Sequence, residues 1–311
     1  MNVSVVIPTY NRSSWLTGTL RSVLWQSDVG LEVIVVDDGS TDDTADVVAR
    51  IRDPRVRLIH HDAPRGVSAS RNHGAAEAKG EWVAFIDDDD LWAPEKLARQ
   101  LEAARTTGRT WVYAGSVNID ESLRAISGAP PPPPEHVARS IARYNSIPGG
   151  GSNVIVRRDE FERVGSFDLR LKNTEDWEMW IRLTEHGPPA WAPHPLLAYR
   201  VHSANASLDV AAILDGVSLI ERLHGTRADR GVLNRWMAES CLRTGQREAA
   251  LKCLAVAAVN GQGLNVARDV IAIVRRRLAP YLGPSVMPTP PHPDWIAQAQ
   301  VWLDELAVPD V

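Results

Sequence analysis

Glu81-Trp82-Val83-Ala84-Phe85-Ile86-Asp87-Asp88-Asp89-Asp90-Leu91-Trp92 is an apolar run that ends in four consecutive carboxylates before apolar sequence resumes. Trp82 to Ile86 reads as a short buried strand, because the run is compact, β-branched and aromatic, and follows Gly80. Pro94, preceded by Ala93, reads as the first turn of a following helix. The carboxylates therefore sit at the carboxyl end of a strand, where open α/β sheets bind ligands. Four adjacent carboxylates repel one another, so a positive group belongs among them, most simply a divalent cation with oxygen ligands. The plain alternative is a solvated acidic loop, which would not ordinarily follow a fully buried strand.

The same logic extends to both sides of this stretch. Val3-Ser4-Val5-Val6-Ile7 is a buried-strand pattern closed by Pro8, and Ser13 or Ser14 can cap a helix carrying Trp15, Leu16, Leu20, Val23 and Leu24. Leu31 to Val36 forms a second strand, ending in Asp37-Asp38-Gly39-Ser40. A helix from Thr41 or Asp42 stops near Asp53-Pro54. Val56 to Ile59 is a third strand, and an Ala-rich helix follows Gly66 to about Lys79. Beyond the acidic stretch come a helix through Leu97 and Leu101 and a strand from Thr110 to Val117. This alternation calls for an α/β fold: a mostly parallel sheet with helices on both faces.

Pro130 to Pro134 reads as an extended polyproline loop, either a stiff flap or a surface insertion. Gly149-Gly150-Gly151 precedes a strand from Val154 to Val156 and permits a bend or a close backbone approach to a ligand. Asn173-Thr174 offers a cap for a helix from Glu175 to Leu183, and Leu196 to His202 reads as a last strand. The composition then turns helical, which divides the chain into an α/β domain over 1–205, a helical region over 206–280, and a proline-rich linker with a terminal helix over 281–311. Trp236 to Ala258 resembles a helical hairpin turning at Gly245. Val266 to Leu278 places Val270, Ile271 and Val274 on one face beside Arg275, Arg276 and Arg277. That pattern suits an anionic membrane surface or a packed helix with Arg near its end.

Bulk properties narrow the class. The chain has 311 residues, and its net charge of −5 argues against coating nucleic acid. Cys241 and Cys253 alone imply no disulfide framework and fit a reducing cytoplasm. The N-terminus enters a strand at once, without a signal-peptide pattern, and no apolar run approaches the ~20 residues of a membrane span. The expected location is cytoplasmic, with peripheral membrane contact left open. Eleven Trp stand against three Phe, and several flank the acidic motifs, where a flat apolar face could hold a sugar ring.

Two acidic strand ends, Asp37-Asp38 and Asp87 to Asp90, should share one rim of the sheet, with Arg71 near the intervening helix. Carboxylates there can hold a metal, and a guanidinium can pair with phosphate. Neither a P-loop nor a Gly-x-Gly-x-x-Gly is present. The remaining logic is a diphosphate bridged to carboxylates through a divalent ion.

Val5-Val6-Ile7-Pro8-Thr9-Tyr10-Asn11-Arg12, Val35-Val36-Asp37-Asp38-Gly39-Ser40-Thr41-Asp42, Gly66 to Gly74, and Phe85 to Trp92 together resemble family 2 glycosyltransferases of the GT-A fold. Glu175-Asp176-Trp177 and Tyr199-Arg200-Val201-His202 resemble that family's acceptor-side motifs. The resemblance covers about residues 1–205. It implies inverting transfer of a sugar from a nucleotide-diphosphate sugar to a hydroxyl on a glycan, lipid-linked or small-molecule acceptor, with Mg2+ or Mn2+. By motif position it implies that Pro8, Thr9 and Tyr10 line the nucleotide, Asp38 bonds the base, and Arg71 lies near the phosphates. Asp87 and Asp89 become the metal motif, and with Asp at all four places Asp88 falls to the nucleotide and Asp90 to the metal.

Several assignments rest on chemistry beside the motif. An acceptor hydroxyl needs a general base, and Asp176 opens a helix beside the glycine-rich segment; Glu175 is the alternative, since neighbours on a helix point about 100° apart. Gly150, Gly151 and Trp177 are candidate acceptor contacts, and His202 a candidate diphosphate or metal contact. Asp38 should favour uracil or thymine, whose imide N–H it can accept. Two other classes stay open at this point: a non-catalytic nucleotide-sugar-binding scaffold, and an aspartyl-phosphate phosphohydrolase suggested by Asp87-Asp88-Asp89. The latter places its nucleophile after the first strand, whereas this motif follows the fourth.

Overall fold

The computed structural model describes residues 2–205, 208–282 and 292–307. In chain order the elements are β1 (Asn2–Thr9), α1 (Ser13–Leu24), β2 (Gly30–Asp37), α2 (Thr44–Arg50), β3 (Val56–His60), α3 (Val67–Ala76), β4 (Trp82–Phe85) and β5 (Leu91–Trp92). There follow α4 (Lys96–Thr107), β6 (Trp111–Ile119), β7 (Ala125–Ala129), α5 (Pro134–Ser140), β8 (Ile155–Arg157), α6 (Arg158–Val164), α7 (Glu175–His186) and β9 (Ala190–Arg200). The chain continues through α8 (Val210–His224), α9 (Arg230–Arg243), α10 (Arg247–Ala257), α11 (Gly263–Leu282) and α12 (Pro293–Ala307).

One sheet runs β3-β2-β1-β4-β8-β6-β9-β5, with β7 also paired to β6. The N-terminal half is parallel, as strand–helix alternation requires, while β8 and β5 enter antiparallel. The sheet is therefore mixed. The second half departs from the parallel expectation because the short β5 and β8 are not reached by a helical crossover from the strand beside them. β6 and β9 pair in parallel across most of their length.

Alternation along the strands divides the interior in two. Val3, Val5 and Ile7 of β1 face α1 and α4 through Leu16, Leu20, Leu97 and Leu101. Val6 faces the other side, with Ile34, Val36, Val83 and Phe85, toward α6, α7, α8 and α9. Such two-faced burial is why these strands are almost wholly apolar. Helix α3 lies against β1 so closely that a Cβ at Gly74 would collide with the Val6 side chain.

The C-terminal helices are not a separate core. Leu233, Met237, Cys253 and Leu254 join the same apolar cluster as Phe85 and Trp180. Helix α12 packs Ala299, Trp302 and Leu303 against β6 and β9 residues Ala114, Val117 and Ala198. Within the tract expected to be polyproline, Pro133 is extended, but Pro134 opens α5; the first helical position needs no N–H, so proline fits it. The linker expected from position 281 begins inside α11, which runs to Leu282, and residues 283–291 lie outside the described residues.

Candidate active site

Strands β2 and β4 flank β1, so their carboxyl ends bring Asp37-Asp38 and Asp87 to the two sides of Thr9. Asp37 is buried and holds its own turn, accepting from the Ser40 N–H at 2.9 Å. Asp38 accepts from the Arg65 and Gly66 N–H groups at 2.9 and 2.7 Å, and His61 Nδ1 lies 2.7 Å away. Burial pushes the Asp38 carboxyl up, but these hydrogen bonds outweigh it and hold it below the usual carboxylate range. Asp38 thus organises the 61–66 loop as well as facing the cavity.

The Asp87–Asp90 segment is a tight turn, with the Asp90 N–H donating to the Asp87 carbonyl at 3.2 Å. The buried Thr19 hydroxyl lies 2.9 Å from the carbonyls of both Asp88 and Asp90, and Arg200 Nε donates to the Asp89 carbonyl at 2.8 Å. Helix α1 and strand β9 therefore clamp the turn from two sides. Its four side chains diverge. Asp87 keeps about a third of its side chain exposed (34%) toward the cavity. Asp88 accepts from Arg12 Nη1 at 3.2 Å, and Asp89 accepts from the same nitrogen while meeting His202 Nε2 at 3.0 Å. Burial, then Asp89, pushes the Asp88 carboxyl up to about 7. Asp90 is wholly buried, accepts from the Arg200 backbone N–H at 3.0 Å, and does not line the cavity. It leaves the expected metal set for that reason.

Helix α7 closes the opposite side. Arg71, 2% exposed, donates to Asp87 at 2.5 Å and to Glu175 at 2.6 Å, joining α3, the acidic turn and α7. Burial alone would lower this guanidinium, and the two carboxylates more than offset it. Glu175 is buried in that ion pair. Asp176 faces the cavity, where burial and then Glu175 push its carboxyl up to about 7. Gly150 and Gly151 make room for these groups: an added Cβ would stand 3.1 Å from Asp176 Oδ2 and 2.9 Å from Arg71 Nη2.

These walls enclose a cavity of about 740 Å³. It brings together Pro8, Thr9, Tyr10, Asp38, Arg71, Asp87, Asp88, Asp89, Gly150, Gly151, Glu175 and Asp176. Trp177 borders it but is core, 3% exposed, with its indole N–H donating to the Ile141 carbonyl at 2.5 Å. It offers no open ring face to a sugar. His202 is buried behind Asp89 and packs on Trp15 at 4.0 Å between ring centroids. Residues that the sequence reading did not single out also line the space: Arg12, Asn118, Tyr144, Asn145, Trp236, Glu239 and Arg243. Arg12 ends a quoted motif, although no role was attached to it, and the others converge only through long-range packing.

The acidic turn suits a hard divalent cation. Its buried carboxylates repel one another, as the raised Asp88 shows, and Arg12 supplies the positive charge nearest to Asp88 and Asp89. Among the described residues no three His, Cys, Asp or Glu side chains form a closed cage. Mg2+-type ions are held by one or two carboxylates together with substrate phosphates, so Asp87 and Asp89, which both line the cavity, fit such an ion in exchange for their present Arg71 and Arg12 partners.

The glycosyl transferase family 2 model matches residues 4–165. The chain is a family 2 glycosyltransferase. It is 31% identical over 206 residues to the UDP-Glc:alpha-D-GlcNAc-diphosphoundecaprenol beta-1,3-glucosyltransferase WfaP of Escherichia coli, covering 66% of this chain and 79% of that one. It is 30% identical over 205 residues to the putative teichuronic acid biosynthesis glycosyltransferase TuaG of Bacillus subtilis, covering 64% and 79%. Among solved structures, S. aureus TarS 1–349 in complex with UDP-GlcNAc aligns over 98% of this chain and 89% of that one, with a TM-score of 0.59 and 19% identity. The Pyrobaculum calidifontis mannosyltransferase PcManGT, in complex with GDP-Man and Mn2+, aligns over 98% and 85%, with a TM-score of 0.57 and 19% identity. These likenesses establish the GT-A fold for this glycosyltransferase.

Proposed function

We propose that this glycosyltransferase moves a sugar, with inversion, from a UDP- or dTDP-linked donor to a glycan hydroxyl in envelope polysaccharide synthesis, using Mg2+ or Mn2+. The observation that carries the reading is one cavity that holds an acidic strand-end turn and, across from it, the Asp176 carboxyl at the start of α7. In this reading Pro8, Thr9, the exposed ring of Tyr10 and Asp38 receive the nucleotide. Asp87 and Asp89 would hold the cation, which when bound would supply positive charge to offset that of a leaving diphosphate. Arg71 positions Asp87 and Glu175 through its two ion pairs. Asp88, paired with Arg12, shapes the nucleotide side of the turn.

Asp176 acts as the general base. It takes the proton of the acceptor hydroxyl as that oxygen attacks the anomeric carbon from the face opposite the diphosphate. The electron pair of the sugar–phosphate bond leaves with the diphosphate, so no covalent enzyme intermediate forms. Glu175, committed to Arg71 at 2.6 Å, is left to tune Asp176.

We assign residues 1–205 to the transferase domain and 206–280 to a helical region that walls the acceptor side. The relative named for a diphosphoundecaprenol acceptor supports a lipid-linked acceptor and hence a membrane-peripheral location, which we place on the cytoplasmic side. So does the outer surface of α10, α11 and the turn between them, where Leu251, Val259, Leu264 and Ile271 are 66, 83, 82 and 53% exposed. The stretch from Arg247 to Arg277 carries six basic residues against two acidic ones in sequence, in a chain of net charge −5. An apolar surface within a basic stretch of sequence suits anionic lipid. Among the described residues no helix is long and apolar enough to cross a membrane.

Titration calorimetry with UDP, dTDP and CDP in the presence of Mn2+ tests the donor assignment. UDP and dTDP should bind more tightly than CDP, whose base lacks the imide N–H. Equal affinities would remove Asp38 from base recognition, and no binding by any of them would overturn the reading.

A further inference from the structure

Helix α9 lies outside the segment matched by the family model, yet it forms one wall of the cavity. Val232, Trp236, Glu239, Ser240 and Arg243 all face that space. Their spacing of three and four residues puts them on one side of the helix. Trp236 is 47% exposed, and among the described residues it alone of the tryptophans is exposed. The others are wholly or partly covered. An open indole on a cavity wall leaves a flat apolar face available, one helical turn from the Glu239–Arg243 pair at 2.7 Å, in a cavity that Tyr144, Asn145 and Asn118 also line.

The wall is tied to the catalytic groups. Asp229 caps α9 by accepting from the Val232 N–H at 3.1 Å. The Asp229 N–H donates to the Arg143 carbonyl at 2.8 Å, and Arg143 returns an ion pair to Asp229 at 3.0 Å. Residues 144–151 lead directly from Arg143 to the glycines beside Asp176. Leu233 and Met237, on the inner side of α9, share one core with Trp177 and Met179 of α7. The indole and the Asp176 carboxyl are therefore borne by helices that contribute to one core.

We propose that Trp236, with Glu239 and Arg243, forms an acceptor subsite for a neutral pyranose. The inference rests on the glycosyltransferase reading above and adds the class of acceptor. A pyranose presents an apolar C–H face that can lie on the indole, while its edge hydroxyls meet both a carboxylate acceptor and a guanidinium donor. Charge selects neutrality. At the subsite itself Glu239 already neutralises Arg243, so an acidic sugar would find no uncompensated guanidinium and would stand beside the Glu239 carboxylate.

The test uses the full chain, labelled and applied with UDP and Mn2+ to an array of neutral and uronic-acid-bearing saccharides. Wild type should retain neutral glycans, Trp236→Ala should lose at least about tenfold in apparent affinity, and Trp236→Phe should recover most of it. Loss of one stacking platform corresponds to roughly that factor. UDP affinity and the urea midpoint of Trp236→Ala should match wild type, which a merely structural role for this residue would not allow. Wild-type retention by Trp236→Ala, preference for the acidic glycans, or no glycan retained by a protein that still binds UDP would each overturn the subsite. Failure of wild type to bind UDP would instead strike the donor reading, and the two failures are thereby separated.

Discussion

Asp176→Asn removes basicity while keeping shape and polarity, and its consequence can be worked from the site. An unperturbed aspartate titrates near 3.9, whereas burial and the neighbouring Glu175 push Asp176 up to about 7. A general base must be unprotonated, so kcat/KM should rise with pH through about 7 and fall tenfold per unit below it. A base with the ordinary value would place that limb near pH 4, roughly three units lower. Losing the base should cost a factor of about 10² to 10⁴ in turnover, or roughly 3–5 kcal/mol of barrier. The assay is UDP release from a UDP-sugar with acceptor present, followed from pH 5 to 9. Asp176→Asn should lose the limb along with the rate and bind UDP as wild type does. Glu175→Gln retains an acceptor for Arg71 but removes the second cause of the shift, so its limb should move to lower pH. Near-normal turnover in Asp176→Asn, with Glu175→Gln inactive, would move the base by one residue. Normal turnover in both would refute the assignment.

Two further outcomes are expected. Arg71→Ala leaves the buried Glu175 carboxylate without its partner and should lower unfolding stability by about 3 kcal/mol in urea titrations; an unchanged midpoint would show that the triad is not what joins α3 to α7. The double variant Leu251→Asp with Leu264→Asp should sediment with phosphatidylglycerol vesicles at least about tenfold less than wild type while binding UDP normally, since each leucine contributes up to a few kcal/mol when buried in lipid. Undiminished sedimentation would remove α10 and α11 from membrane contact.

Much of this architecture was legible in the residues themselves. Val3 to Ile7, Leu31 to Val36 and Trp82 to Ile86 are apolar on both faces because helices cover both, and each ends in the polar groups that form the rim. The hairpin at Gly245 also followed from local sequence, and that residue has the left-handed φ of +80° that favours glycine. Other features had no local signal. Strand β7, Ala-Ile-Ser-Gly-Ala, has little β propensity and exists through its pairing with β6. Strand β5 is two residues long and is fixed by β9, more than a hundred positions away. Arg71 and Glu175 are likewise separated by 104 positions, so the phosphate contact expected of Arg71 could not be weighed against this ion pair.

The tryptophans show the same limit from another side. Their abundance suggested ring faces for a sugar near the acidic motifs, but burial decides which rings are available. Trp82, Trp92 and Trp177 beside those motifs went into the core, and the open ring is Trp236, on a helix whose sequence signalled only a hairpin. Hydrophobic packing claims an indole wherever an element has an inner face, and only the packed structure shows which faces remain outside. Asp90 follows similarly: four identical neighbours in sequence are separated by a turn that sends one of them inward, against the Arg200 N–H.

On the proposed mechanism Asp87 and Asp89 would hold a divalent cation for the donor diphosphate at this strand-end turn. The most direct measurement is titration calorimetry of UDP with Mn2+ and after chelation, on wild type and on Asp89→Ala. Wild type should lose most of its UDP affinity on chelation, and Asp89→Ala should bind UDP weakly and equally in both conditions, with UDP release falling in parallel. Full Mn2+-dependent binding and turnover in Asp89→Ala, or wild-type affinity indifferent to the metal, would contradict the account.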